Sequence, residues 1–288
     1  MSRIPKTLHY VFGMSPDFGG KPWSLVHHIC VSSAIAHIKP DRVRFAYAHE
    51  PTGPWWELTR KIVTPIRIEA PTEIFGRPLH HVAHKADVVR LQTLIEHGGI
   101  YLDADVLVQR SFDDLLHHST VLGQEGMGGE HGLANAVILA EPQAPFLRRW
   151  MAHYSNFRSA GNDAYLNEHS VRLPSRLAAA HPEDITVLGH TAFFWPTWTK
   201  PHLAWMFRSN RPISLDNTYA NHLWEARAWE DLRKLTLAGL RTADTNFAGW
   251  ARPHIHGLLE QEKPLSIAAR AAHVGQRIMN YAGMRAMS

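Results

Sequence analysis

The chain opens on β-branched and aromatic positions, Thr7 to Phe12, that stop at Gly13, the pattern of a buried strand followed by its turn. The period then changes. Across Pro22 to Lys39, Leu25, Ile29 and Ala36 fall near one helical face, with Pro22 suited to a first helical position and Pro40 ending the run. Arg42 to Tyr47 predicts a second strand and Lys61 to Ile68 a weaker third. Strand, helix, strand in that order favours a parallel sheet with crossover helices.

Further on, His81 to His97 carries Val88, Leu91, Leu94 and Ile95 at helical spacing, and Gly98-Gly99 supplies a stop. Ile100 to Leu102 follows as a short apolar strand, with Asp103-Ala104-Asp105 at its end and a resumed apolar run from Val106 to Val108. Ala134 to Ala140 predicts another strand, and Pro145 to Phe157 and Asn162 to Ala180 predict helices. The aromatic stretch Phe193 to Trp198 declares no structure. In the tail, Ile267, Ala271, Val274, Ile278 and Tyr281 recur at helical spacing beside Lys263, Arg270, Arg277 and Arg285, with no acid after Glu262. This predicts a basic amphipathic helix over 263–288, able to lie on an anionic membrane surface or to dock on its own domain. With no repeat or linker, residues 1–262 read as one domain.

Composition narrows the class. Of 288 residues, 45% are hydrophobic and 19% charged, which suits a packed protein rather than a disordered one. The net charge of +4 comes without a dense Lys/Arg stripe, which argues against nucleic acid as a partner. A single cysteine, Cys30, excludes an internal disulfide and an all-cysteine zinc site. The opening MSRIPKTLHYVFG lacks a charged-then-apolar leader and no apolar run is long enough to span a bilayer, so the expected setting is cytoplasmic.

The chemistry concentrates at Asp103 and Asp105. Spaced i and i+2 at a strand end, they would face one side and repel, and a hard divalent cation, Mn²⁺ or Mg²⁺, relieves that repulsion. Two solvated loop aspartates would give the same pattern. Asp87 and Arg90 form an i, i+3 pair on the helix that feeds this strand, placed either to hydrogen-bond sugar hydroxyls in a shared cleft or to make a surface salt bridge. Other signals are weaker. His80 and His84 lack a third zinc ligand, His27-His28 and His117-His118 read as surface pairs, and Trp55-Trp56 reads as packing. The glycines of GQEGMGGEHG lack the strand–turn–helix context of a dinucleotide site.

The block HKADVVRLQTLIEHGGIYLDADV resembles the core signature of glycosyltransferases with a sugar-binding region containing a DXD motif, the family 32 group. That group includes mannosyltransferases and bacterial capsule or lipopolysaccharide enzymes, and the same spacing occurs in clostridial glucosylating toxins. IPKTLHYVFG is similar to the family's opening strand and YANHLW to its closing segment. The resemblance implies an α/β fold of GT-A type, a mostly parallel sheet flanked by helices, here with a helical C-terminal extension. It implies a retaining transfer of a hexose from a UDP- or GDP-sugar to a glycan or glycolipid acceptor, with Mn²⁺ or Mg²⁺, in bacterial surface polysaccharide synthesis. A toxin-like protein glucosyltransferase and a non-catalytic, lectin-like sugar-nucleotide binder are the alternatives.

Carried over, Asp105 is the principal metal ligand, and Asp103 contacts the ribose or the metal through water. Asp87 and Arg90 hold donor-sugar hydroxyls, while Tyr101 supports the nucleotide or diphosphate. Val11 and Phe12 line the base pocket, with Phe12 standing where the toxins have tryptophan. His222 is a third metal ligand or a diphosphate donor, Trp224 packs on the donor, and Asn135 lies near the reacting carbon. Apart from the resemblance, Glu125 in GQEG is a candidate acceptor-side carboxylate.

Overall fold

A computed structural model describes residues 2–159 and 165–259. Strands β1 (Thr7–Phe12), β2 (Arg42–Tyr47) and β3 (Thr64–Arg67) alternate with helices α1 (Leu25–Ile38) and α2 (Pro54–Thr59). A small hairpin, β4 (Glu73–Ile74) and β5 (Arg77–Pro78), leads into α3 (Val82–His97), then β6 (Gly99–Leu102) and β7 (Val106–Val108). Next come β8 (Thr120–Glu125), β9 (Gly132–Ala140), α4 (Pro145–Ala152), α5 (Leu173–Ala180) and β10 (Thr186–Leu188). The last described elements are α6 (Lys200–Arg208), β11 (Ala220–His222), α7 (Glu225–Leu232), α8 (Leu237–Thr242) and α9 (Asn246–Ala251).

Seven strands form one sheet in the order β10-β8-β9-β6-β1-β2-β3. The pairs β1–β2, β1–β6, β2–β3 and β8–β10 are parallel, and β9 runs antiparallel to both β6 and β8. The sheet is thus mostly parallel, the GT-A-type arrangement expected from the sequence. Outside it, β11 pairs antiparallel with β7, setting His222 opposite Val106, one residue beyond Asp105.

The two-residue period of the strands sends apolar side chains to both faces. Leu8, Tyr10, Ile100 and Leu102 join α1, Trp55 and Trp56 in one core cluster. Val11 and Tyr101 join Val88 and Leu91 of α3 and Trp150 of α4 in the other. Each large apolar side chain so covered stabilises the fold by about 1.5–3 kcal/mol before entropy is subtracted.

Several expectations change at this level. Pro22 precedes α1 instead of opening it, and Ser24 is the N-cap. His27 and His28 are not a surface pair: both are buried, because α1 packs between the sheet, β7 and α2 and has no solvated face there. His28 Nδ1 hydrogen-bonds the Thr59 hydroxyl at 2.9 Å, which makes an imidazole tolerable inside. His80 lies ahead of α3, exposed, while His84 is buried, so the two do not share a helical face. Trp55 and Trp56 are core, as expected. The helix expected from Pro145 to Phe157 tightens to a 3₁₀ turn after Ala152. The one expected from Asn162 begins in residues outside those described, 162–164, and then holds a π turn at Glu168–Arg172 before α5. The basic helix expected over 263–288 lies outside the described residues. Among those described, no helix is long and apolar enough to cross a membrane.

Candidate active site

The acidic motif sits in a turn. β6 ends at Leu102, the Asp103 N–H donates to the Ala136 carbonyl at 2.8 Å, and the Val106 N–H returns to the Asp103 carbonyl at 3.1 Å. The two carboxylates therefore meet through a turn at the strand end, not through continued strand alternation. Asp105 is nearly buried; its Oδ2 accepts the Glu225 N–H at 2.7 Å and its Oδ1 lies 3.3 Å from His222 Nε2. Asp103, Asp105 and His222 each offer a ligand atom, all within 4.8 Å of one another. Two carboxylates and an imidazole are a donor set that fits Mn²⁺ well and Mg²⁺ acceptably.

Electrostatics couple this group. Burial works against the Asp105 charge, but His222 and the Glu225 N–H outweigh it and hold the carboxyl at about 2. Burial likewise works against a charged His222, yet the adjoining Asp105 carboxylate raises it above the ordinary histidine range. A divalent ion would replace that proton.

Arg90 ties the acidic turn to α3. Its guanidinium, nearly buried, lies 3.2 Å from Asp103 Oδ1 and 3.3 Å from Asp87 Oδ1, donates to the Asn135 carbonyl at 2.8 Å, and sits 4.4 Å over the Tyr101 ring. Tyr101 donates its hydroxyl to Asp103 Oδ1 at 2.7 Å, and Asn135 Nδ2 donates to Asp87 Oδ1 at 2.7 Å. Burial raises the Asp87 carboxyl to about 6, against the pull of Arg90 and Asn135.

These groups border a cleft of about 690 Å³ at the strand ends. Val11, Phe12, Arg90, Tyr101, Asp103, Asp105, His222 and Trp224 all line it. Asp87 and Asn135 do not; they stand behind Arg90, so their contact with a sugar would pass through it or need the cluster to open. Phe12 stacks on Phe18 at 5.8 Å and meets Trp23 edge-on at 5.0 Å, a packed wall rather than an isolated platform. Trp224, left-handed at φ 57°, donates its indole N–H to the Pro196 carbonyl and lies 4.3 Å from the His222 ring, which it backs.

Other lining residues were not read as part of a site from the sequence: Lys21, His27 and Glu225 toward Phe12, with Arg227 on α7, and His131 and Trp198 beside Glu125. Glu225 had a usable signal, an acid in the first helical turn directly after Asn221-His222-Leu223-Trp224. Lys21, Trp198 and His131 had none, since each reaches the cleft from a separate loop. Glu125 is buried against the Trp198 indole, and burial raises its carboxyl.

An acidic turn that gathers an imidazole at the strand ends of a mostly parallel sheet is a ligand set for a divalent cation beside a cleft. Residues 32–122 match the family described as "Glycosyltransferase sugar-binding region containing DXD motif", a span from α1 through the acidic turn into β8. Over 263 residues the chain is 38% identical to Glucan organizing enzyme 1 of Cryptococcus neoformans var. grubii, covering 88% of this chain and 71% of that protein. The chain belongs to this DXD-motif glycosyltransferase family. Among solved structures it is similar to the galactosyltransferase LgtC in complex with donor and acceptor sugar analogs (14% identity, 86% of this chain and 95% of that one, TM-score 0.44). It is also similar to the glycosyltransferase GlyE of Streptococcus pneumoniae TIGR4 (11% identity, 92% and 66%, TM-score 0.45).

Proposed function

We propose that this glycosyltransferase is metal-dependent and retaining, and that it moves a hexose from a UDP- or GDP-sugar to a glycan or glycolipid acceptor in surface polysaccharide assembly. The observation that carries the reading is the Asp103–Asp105–His222 group, three ligand-type side chains within 4.8 Å at the cleft. A divalent cation bound there would act as a Lewis acid and offset the charge of the departing diphosphate. Lys21 and Arg227, both lining the cleft, add positive charge for the phosphates. Arg90, held by Asp87 and Asp103, presents its remaining donor capacity to sugar hydroxyls. Glu125, buried beside Trp198, supplies a hydrogen-bond acceptor for the incoming hydroxyl. The retaining outcome and the hexose come from the family resemblance. The name of the fungal relative supports a polysaccharide setting without confining it to bacteria.

The test is donor hydrolysis with UDP-glucose, UDP-galactose and GDP-mannose in Mn²⁺, with and without chelator. Slow, chelator-sensitive release of one nucleoside diphosphate is expected, with the freed sugar in the donor's anomeric configuration by NMR. Turnover that survives complete metal removal would overturn the metal-dependent reading, and an inverted sugar would overturn retention.

A further inference from the structure

Glu225 occupies a position no part of the family signature accounts for. Its main-chain N–H is bound to Asp105 Oδ2 at 2.7 Å, so the residue is fixed against the metal-binding group. Its side chain turns along the cleft wall and is held from the other end: Oε1 lies 2.7 Å from His27 Nε2. The opposite nitrogen of that ring, Nδ1, accepts the Ser24 N–H at 3.0 Å. A nitrogen that accepts a backbone N–H carries no proton, so the His27 proton is on Nε2 and is donated to Glu225. His27 is itself buried, and its ring contacts Phe12 at 5.4 Å and Trp23 at 4.8 Å. Among the described residues, the hydrogen bonds of Glu225 use its N–H and Oε1, and Oε2 is left over on a side chain 18% exposed in the cleft.

The order of groups along the wall is therefore metal-ligating carboxylates, then Glu225, then His27 and Phe12. A nucleoside diphosphate has the same order: diphosphate, ribose, base. Chemistry selects among the three. A carboxylate repels phosphate oxygens, and uracil N3–H is flanked by two carbonyl acceptors that a carboxylate also repels; guanine, with its N1–H and N2–H₂ edge, is the base a carboxylate could read, and the UDP-to-GDP ratio separates that case. The ribose diol is neutral and donates, so a fixed carboxylate oxygen suits it. Asp103, the expected ribose contact, has its Oδ1 committed to Tyr101 and Arg90.

Resting on the donor reading above, we infer that Glu225, oriented by His27, is the residue that binds the ribose hydroxyls of the nucleotide donor and selects ribo- over deoxyribonucleotides. The test measures Kd in Mn²⁺ for UDP and GDP and for the 2′-deoxy and 3′-deoxy forms of each, with wild type, Glu225→Ala and Glu225→Gln. Wild type is expected to bind the ribonucleotide about tenfold more tightly than at least one deoxy form, the size of a lost charge-assisted hydrogen bond. Glu225→Ala should lose that preference by weakening the ribonucleotide alone, while Mn²⁺ affinity persists because the Asp105 contact is main-chain. Glu225→Gln, nearly isosteric, guards against a folding artefact and should fall between the two.

A preference that survives in both variants overturns the inference. So does an equal weakening of ribo- and deoxynucleotides, or a changed UDP-to-GDP ratio with the sugar preference intact, which would make Glu225 a base reader. Wild type that binds neither UDP nor GDP would instead sink the donor reading, and this inference with it.

Discussion

At Arg90, contacts from two acids, two main-chain carbonyls and one aromatic ring converge on a single buried guanidinium. Removing it leaves the Asp87 carboxylate buried with, among the described residues, the Asn135 amide as its hydrogen-bond partner, and stranding a buried charge is costlier than losing an exposed pair. Arg90→Ala should destabilise the protein by about 3–5 kcal/mol by urea denaturation, far above a surface salt bridge. A loss below 1 kcal/mol would show the cluster to be solvated. Asp105→Asn tests another property, since it keeps an acceptor for the Glu225 N–H but loses the charge. Metal-dependent turnover should fall by about a hundredfold or more, with the circular dichroism spectrum unchanged. His222 adds a pH dependence: Asp105 raises its pKa, so protons compete with metal over a range reaching above the ordinary histidine value. Mn²⁺ affinity by calorimetry should increase as pH rises through that range; a flat profile would remove His222 from the ligand set. These residues were visible in the sequence as types and spacings. Their partners were not, because Asn135 behind Asp87 and Trp198 beside Glu125 come from strands and loops far along the chain.

The junction of α3 and β6 shows what an element owes to local sequence. Gly98 and Gly99 have φ of 62° and 114°, which L side chains rarely adopt, and this lets the helix turn straight into the strand that ends in the acidic turn. A Cβ on Gly99 would lie 2.6 Å from the Thr7 carbonyl oxygen, on the neighbouring strand β1. Gly99→Ala should therefore cost about 1–3 kcal/mol and shift the Asp103–Asp105 turn, seen as a lower melting temperature together with weaker Mn²⁺ binding. An unchanged melt would mean that β1 and β6 separate freely. The double glycine made this junction legible in advance. The β7–β11 pairing was not, because strands of three residues carry too little pattern, and that register is what sets His222 beside Asp105.

Across the molecule, two of the buried histidines make stability depend on pH. His9 and His28 are both buried, and desolvation lowers each to about 4. In the unfolded chain each titrates near the ordinary value of about 6.5. Between those values the unfolded state binds the proton and the native state does not. Stability is thus complete above about pH 6.5 and declines as pH falls, by up to about 1.4 kcal/mol per pH unit for each histidine, levelling below about pH 4. Urea midpoints at pH 7, 6, 5 and 4.5 should trace that decline, and His28→Gln should flatten it; equal midpoints would mean that the two rings become solvated.

The sequence by itself determined the strand–helix alternation, the parallel sheet and the identity of the acids at its end, because a two-residue period, a helical period and a double glycine act over a few neighbours. Which side chains meet was decided by tertiary structure alone. Burial of α1 turned two apparent surface histidines into core, and the β7–β11 register carried His222 to Asp105. The start of α7 set Glu225 between the acids and Phe12. Such contacts join residues a hundred or more positions apart, and they form only when separate elements share a core that fixes their relative placement.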